Sequence, residues 1–145
     1  ENYLKKKLNK KLISLRVSNV LGKRIYKGGR INHKLFIDNY IKFKKSGKSI
    51  QVNNDYKDFI SIDDFLLTVK KIITKKITGI YNVSSGKKVY VSEITKWLNL
   101  KYFKKITFKT STNDSFTLSN KKLFKKINIS ISKKRIEIFC KNLKI

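Results

Sequence analysis

The 145-residue sequence predicts an α/β fold built on parallel strands. Short runs rich in Ile, Val, Tyr and Thr, ended by Asn, Gly or Ser, read as strands, and they alternate with stretches whose apolar residues recur at helical spacing. That alternation lays helices over a parallel sheet. A chain of this length buries one core, and 40% hydrophobic with 12% aromatic residues is a globular composition, so a single domain is expected.

In chain order, Tyr3, Leu4 and Leu8 form an apolar stripe among lysines, so residues 1–11 read as the end of a helix. The run LISLRVSNVLG (12–22) follows as a strand that stops at Asn19 and Gly22. Its Leu12, Ile13, Leu15 and Val17 are too continuous for a one-sided strand, which predicts burial on both faces. Residues 23–33 read as a glycine-bearing loop. Lys34 to Lys45 reads as a helix with Leu35, Phe36, Tyr40, Ile41 and Phe43 inward, ended by Gly47. SIQV (49–52) and KDFISI (57–62) are short strands around the turn NNDY.

Asp63 then opens a helix to about Thr74, with Phe65, Leu66, Val69, Ile72 and Ile73 on its apolar side. Asp63 or Asp64 is expected to cap it and to complement its positive end. GIYNVSS (79–85) is a buried strand with a polar end, and KVYV (88–91) is extended. Ser92 is expected to cap the helix EITKWLNL (93–100). KITFKTS (105–111) alternates as a strand should. Ser119 to Lys126 and Ser132 to Leu143 are two last helices joined by INIS.

Charge is the outstanding bulk property: 36 Lys and Arg against 9 Asp and Glu, a net +27 and a pI near 10.3. Such a balance invites a nucleic-acid reading. Sequence readout, however, leans on arginine forks and interleaved aromatics. Arginine here is confined to Arg16, Arg24, Arg30 and Arg135, while lysines fall on nearly every segment. The absence of Ala, Met and Pro, with abundant Ile and Asn, is the slant of an A/T-rich coding sequence. The charge is therefore read as compositional, and a basic nucleic-acid-binding module is the alternative. No apolar run is long enough to span a bilayer, so no membrane partner is expected. No signal peptide is visible. A lone Cys140 fits a reducing, cytoplasmic setting and is expected to be a small buried hydrophobe.

The chemical inventory is thin. His33, the single histidine, has no second ligand beside it, so no zinc site is expected. Asp58, Asp63 and Asp64 lack metal-loop spacing, which favours architecture over a cation site. SSGKK (84–88) has the look of an anion nest, but no helix directly follows it.

Four segments taken together carry a resemblance. LRVSNVLG (15–22) resembles Arg-x-x-Asn-Val-Tyr-Gly; KDFISIDDF (57–65) is similar to Arg-Asp-Phe-Ile-x-Val-Asp-Asp-Val; GIYNVSSGKKVYVSEI (79–94) is similar to Gly-x-Tyr-Asn-Val-Gly-Ser-Gly with a capped helix; and FTLSNKKLFKKINI (116–129) resembles a late helix. These are signatures of the NAD-dependent epimerase/dehydratase proteins, the extended short-chain dehydrogenases/reductases, and their order agrees over nearly the whole chain.

The resemblance implies that residues 1–145 form the C-terminal portion of a Rossmann-like enzyme: parallel strands plus a small substrate-binding α/β subdomain. The dinucleotide loop and the catalytic Tyr-x-x-x-Lys would precede residue 1. NAD or NADP would serve the intact protein, a possible homodimer, and would not be bound by this portion alone. A sugar or nucleotide sugar would be the substrate. Asn19, Lys57, Lys34 and Phe36 would contact it, Val17 and Ser18 would lie near the nicotinamide, and Asp58, Asp64 and Ser92 would be structural. No metal is implied.

Departures accompany the match. Leu21 stands where Tyr is usual, no Pro follows Gly22, and KTSTNDSF (110–116 with its preceding Lys109) keeps Asp114 without the family's Arg. A lipid-linked or otherwise modified sugar therefore stays open, as does a non-catalytic homologue. Strand 12–17 would also need neighbours from outside this sequence, so an exposed apolar sheet edge is expected.

Overall fold

The computed structural model describes residues 3, 6–7, 12–22, 46, 49–98, 106–110 and 114–143. The predicted loop at 23–33, the whole of the predicted helix at 34–45, and Gly47 lie outside the described residues.

Eight strands and four helices follow in chain order among those residues: β1 Ile13–Val17, β2 Asn19–Leu21, β3 Ile50–Asn53, β4 Tyr56–Lys57, β5 Phe59–Ser61, α1 Ile62–Thr74, β6 Gly79–Val83, β7 Val89–Tyr90, α2 Val91–Trp97, β8 Ile106–Lys109, α3 Lys121–Ile127 and α4 Lys133–Asn142. The strands form four pairs. β1–β6, β2–β5 and β3–β8 are parallel, and β4–β7 is antiparallel. The parallel α/β class expected from the sequence is what the structure has. In β1–β6 the register runs from Ile13 opposite Gly79 to Val17 opposite Val83, so both strands end together at their carboxyl ends.

The core gathers Ile60 on β5, Val83 on β6, Val89 on β7, Ile94 on α2, Leu123 on α3 and Ile136 on α4, none of which reaches solvent. β1 departs from expectation. Leu12, Ile13 and Leu15 are half-buried and Val17 is 41% exposed, and among the described residues β1 pairs with β6 alone.

Helix α1 is turned relative to the sequence reading. Its innermost positions are Asp64, Thr68 and Ile72, while Leu66 and Ile73 face solvent. Two polar residues can occupy the inner face because their bonds are made locally: Thr68 Oγ1 donates to the Asp64 carbonyl at 2.7 Å, and Ser61 Oγ donates to the Asp64 carboxylate at 2.9 Å. The cap is corrected too. Ser61, not Asp63 or Asp64, is the N-cap, its Oγ accepting from the Asp64 N–H at 3.0 Å. At the other end Lys76 adopts a left-handed φ of 48°. There the Lys76 N–H donates to Ile73 O and the Ile77 N–H to Ile72 O, a Schellman closure.

The second cap correction concerns Ser92. Helix α2 starts two residues earlier, at Val91, and the Glu93 carboxylate accepts from the Tyr90 N–H at 3.1 Å. Ser92 lies inside the first turn, where its N–H donates to Asn54 Oδ1 at 3.0 Å. Cys140 is 1% exposed on α4, and burial pushes its thiol up to about 12.

Candidate functional site

Where β1 and β6 end, Ser18 N–H donates to Val83 O at 3.1 Å and the chain passes directly into β2. β2 pairs with β5, so Asn19 sits opposite Phe59, one residue past Asp58. This junction, beyond the carboxyl ends of two parallel strands, is where open α/β sheets take their ligands.

Asp58 organises it. Its carboxylate is fully buried and accepts four hydrogen bonds: Oδ1 from the Ser85 N–H at 2.9 Å and the Ser85 hydroxyl at 2.8 Å, Oδ2 from the Gly86 N–H at 3.0 Å and the Leu118 N–H at 3.1 Å. A buried carboxylate is tolerable when donors converge on it in this way. The anion nest legible in SSGKK is thus filled from within, by a side chain of the same protein. Gly86 closes the nest at φ 69°, where an added Cβ would meet the Asn120 amide at 3.2–3.3 Å.

Next to this clamp, in the chain or across the β2–β5 pair, stand three sequence-predicted residues. Asn19 donates from its backbone N–H and from Nδ2 to the Asp58 carbonyl, both at 3.2 Å, leaving its Oδ1 as an acceptor. Lys57, on β4, forms an ion pair with Asp114. The segment after Asp114 is fastened to β4: Tyr56 N–H donates to Ser115 Oγ at 3.3 Å and Phe116 N–H to Tyr56 O at 3.2 Å. Ser18 is 8% exposed, and its hydroxyl is buried without a partner among the described residues. Val17 lies next to it, exposed.

Other candidates fall elsewhere. Asp64, 3% exposed, is ion-paired with Arg135 of α4 at 2.5 Å. It lines a groove of about 630 Å³ with Ser61, Asp63, Arg135, Phe139 and Leu143, which contains none of Asn19, Lys57 or Asp58. Its buried carboxylate is already matched by Ser61 and Arg135. Ser92 stands on α2. Lys34, Phe36 and His33 lie outside the described residues. Among the described residues no group of three His, Cys, Asp or Glu is placed to hold a metal, and no helix is long and apolar enough to cross a membrane.

Sequence reasoning missed two partners. Ser85 could have been found from its place ahead of Gly86 in the nest. The contact of Asp114 with Lys57 spans 57 positions, and no local signal marks it.

No family model and no curated protein matches the sequence. Solved structures do match. dTDP-glucose 4,6-dehydratase from Bacillus anthracis, in complex with NAD, is 15% identical with a TM-score of 0.70 over 96% of this chain and 45% of its own. UDP-N-acetylglucosamine 4-epimerase from Methanobrevibacter ruminantium, in complex with UDP-N-acetylmuramic acid, is 16% identical with a TM-score of 0.69 over 97% and 47%. WbmG of Bordetella bronchiseptica, in complex with NAD and UDP, is 23% identical with a TM-score of 0.63 over 83% and 39%. The chain spans less than half the length of each, and what it shares with them is the fold.

Proposed function

From a chain that has part of the Rossmann-like fold of these sugar-nucleotide enzymes, we propose that residues 1–145 form the substrate-binding portion of an NAD(P)-dependent nucleotide-sugar epimerase, dehydratase or reductase. The observation that carries this reading is the buried Asp58 clamp at the carboxyl ends of β1 and β6, with Asn19 bonded to the Asp58 carbonyl and Lys57, on β4, the residue just before Asp58. Lys57 supplies positive charge for a phosphate, as a point charge rather than a fork. Asn19 Oδ1 accepts from a sugar hydroxyl. Asp58 touches no substrate and positions both.

The dinucleotide supplies hydride acceptance or donation when bound. Val17 and Ser18 would lie against its nicotinamide end. Ser18 fits that place, because its buried hydroxyl lacks a partner among the described residues and can bond a polar group of the ring's amide. The dinucleotide loop and the acid/base tyrosine belong to a part of the enzyme outside these residues. The structures holding NAD, UDP or a UDP-sugar support the pairing of cofactor and substrate class.

Calorimetric titration of the chain with UDP-N-acetylglucosamine and, separately, with NAD tests the reading. The expected result is saturable binding of the nucleotide sugar, weakened about tenfold or more by Lys57→Ala as a charge-assisted contact is lost, and no saturable binding of NAD. Binding of NAD with none of the nucleotide sugar would overturn it.

A further inference from the structure

We propose that Asp114 is an internal stand-in for the substrate's phosphate, holding Lys57 until a diphosphate ester displaces it. The proposal rests on the reading of Lys57 as the phosphate-binding residue.

The two members of the pair differ in a telling way. The Lys57 side chain is 23% exposed, whereas Asp114 is 73% exposed. The lysine is therefore the fixed partner, presented by β4 beside the Asp58 clamp, and the aspartate is the one free to swing into solvent. Its backbone is nevertheless kept close. Ser115, Phe116 and Leu118 are each hydrogen-bonded to Tyr56 or Asp58, so the run that starts just after Asp114 is tied to the strand carrying Lys57. Asp58 cannot take the place of Asp114, because both its oxygens are engaged by Ser85, Gly86 and Leu118.

Two further lysines border the same strand pair. Lys88 Nζ stands 4.8 Å from the centre of the Tyr56 ring, and Lys87 follows Gly86 in the nest. Lys57 and the Lys88–Tyr56 pair stand on opposite faces of β4, so with Asp114 swung away the ammonium offered to an anionic ligand is that of Lys57. With Asp114 in place, its carboxylate repels the incoming anion and competes for Lys57. Occupation then requires an exchange of one anion for another, and the cost is that of an exposed ion pair.

The test compares the wild-type chain with Asp114→Asn and Lys57→Ala, titrated with inorganic pyrophosphate and with UDP. Asparagine keeps the shape and removes both the competition and the repulsion. Asp114→Asn is expected to bind both ligands more tightly, by up to about fivefold, the upper end of an exposed ion pair converted to an equilibrium constant. Lys57→Ala is expected to weaken both. If Asp114→Asn leaves both affinities unchanged while UDP still binds the wild type, the stand-in role is wrong and Lys57 keeps its assignment. If it weakens UDP but not pyrophosphate, Asp114 is a ribose acceptor and the proposal is likewise overturned. Failure of both ligands to bind either protein removes the phosphate reading and the stand-in role with it.

Discussion

Replacing Asp58 by Ala strikes a buried side chain that ties its own segment to Ser85–Gly86 and to Leu118. The carboxylate takes four hydrogen bonds, from the Ser85 amide and hydroxyl, the Gly86 amide and the Leu118 amide. Gly86 is exposed and Leu118 half-buried, so water can reach their amides once the carboxylate is gone. Ser85 is 3% exposed, and its hydroxyl can turn but its amide cannot. A buried donor left unmade costs roughly 1–3 kcal/mol, and bonds to a charged acceptor contribute about 1.5–3 kcal/mol each. The burial of the charge itself, removed by the substitution, offsets part of that loss. A net destabilisation of about 3–5 kcal/mol follows, a large share of a typical domain's stability. Asp58→Asn should cost about 2–4 kcal/mol, since its amide nitrogen turns donors toward the amides of Gly86 and Leu118. Urea unfolding reads the stabilities, and amide exchange at Ser85, Gly86 and Leu118 reads the local effect. A loss under 1 kcal/mol for Ala, or unchanged exchange at those amides, would refute the clamp.

Two other outcomes follow from single positions. Lys76 closes α1 at φ 48° without being glycine. Lys76→Gly relieves a left-handed penalty of roughly 1–2 kcal/mol and adds about 0.5–1 kcal/mol of chain entropy to the unfolded state, for a net gain of about 0.5–1 kcal/mol in urea unfolding; a loss of stability would contradict the closure. Cys140 is held protonated by burial, with its pKa raised from 9.0 to about 12. A raised folded pKa contributes stability that is complete below the unfolded value and is lost as pH rises toward the folded one. The wild type should therefore lose up to about 1.4 kcal/mol per pH unit above pH 9 relative to Cys140→Ala, and its thiol should resist alkylation at pH 8 until the protein unfolds. Parallel pH profiles for the two proteins would rule the burial out.

The strand–helix alternation was legible because β-branched runs and polar stops are local features. GIYNV and ISLRV each declare a strand on their own, and the parallel pairing follows from the helix between them. What was not legible depended on partners distant in sequence. Asp64 and Thr68 look like surface residues until Ser61 and Arg135 satisfy them, which turns α1 and places Leu66 and Ile73 outside. Ser92 has the chemistry of a cap, but Asn54, 38 positions away, takes its amide, and Glu93 takes the amide at the helix start. The nest in SSGKK was visible, while the identity of its anion was not, because Asp58 reaches it across 27 positions. Lys57 was singled out in the sequence, yet its partner Asp114 was seen only as a residue left over beside a missing Arg.

On the proposed function, the Asp58-clamped junction receives the phosphate-bearing ligand. Titrating the isotope-labelled chain with UDP, while following backbone amide shifts, tests it most directly. The largest shifts are expected at Asn19, Lys57, Ser85 and Gly86, saturating together. Shifts concentrated instead around Arg135 and Phe139, in the groove between α1 and α4, would contradict it.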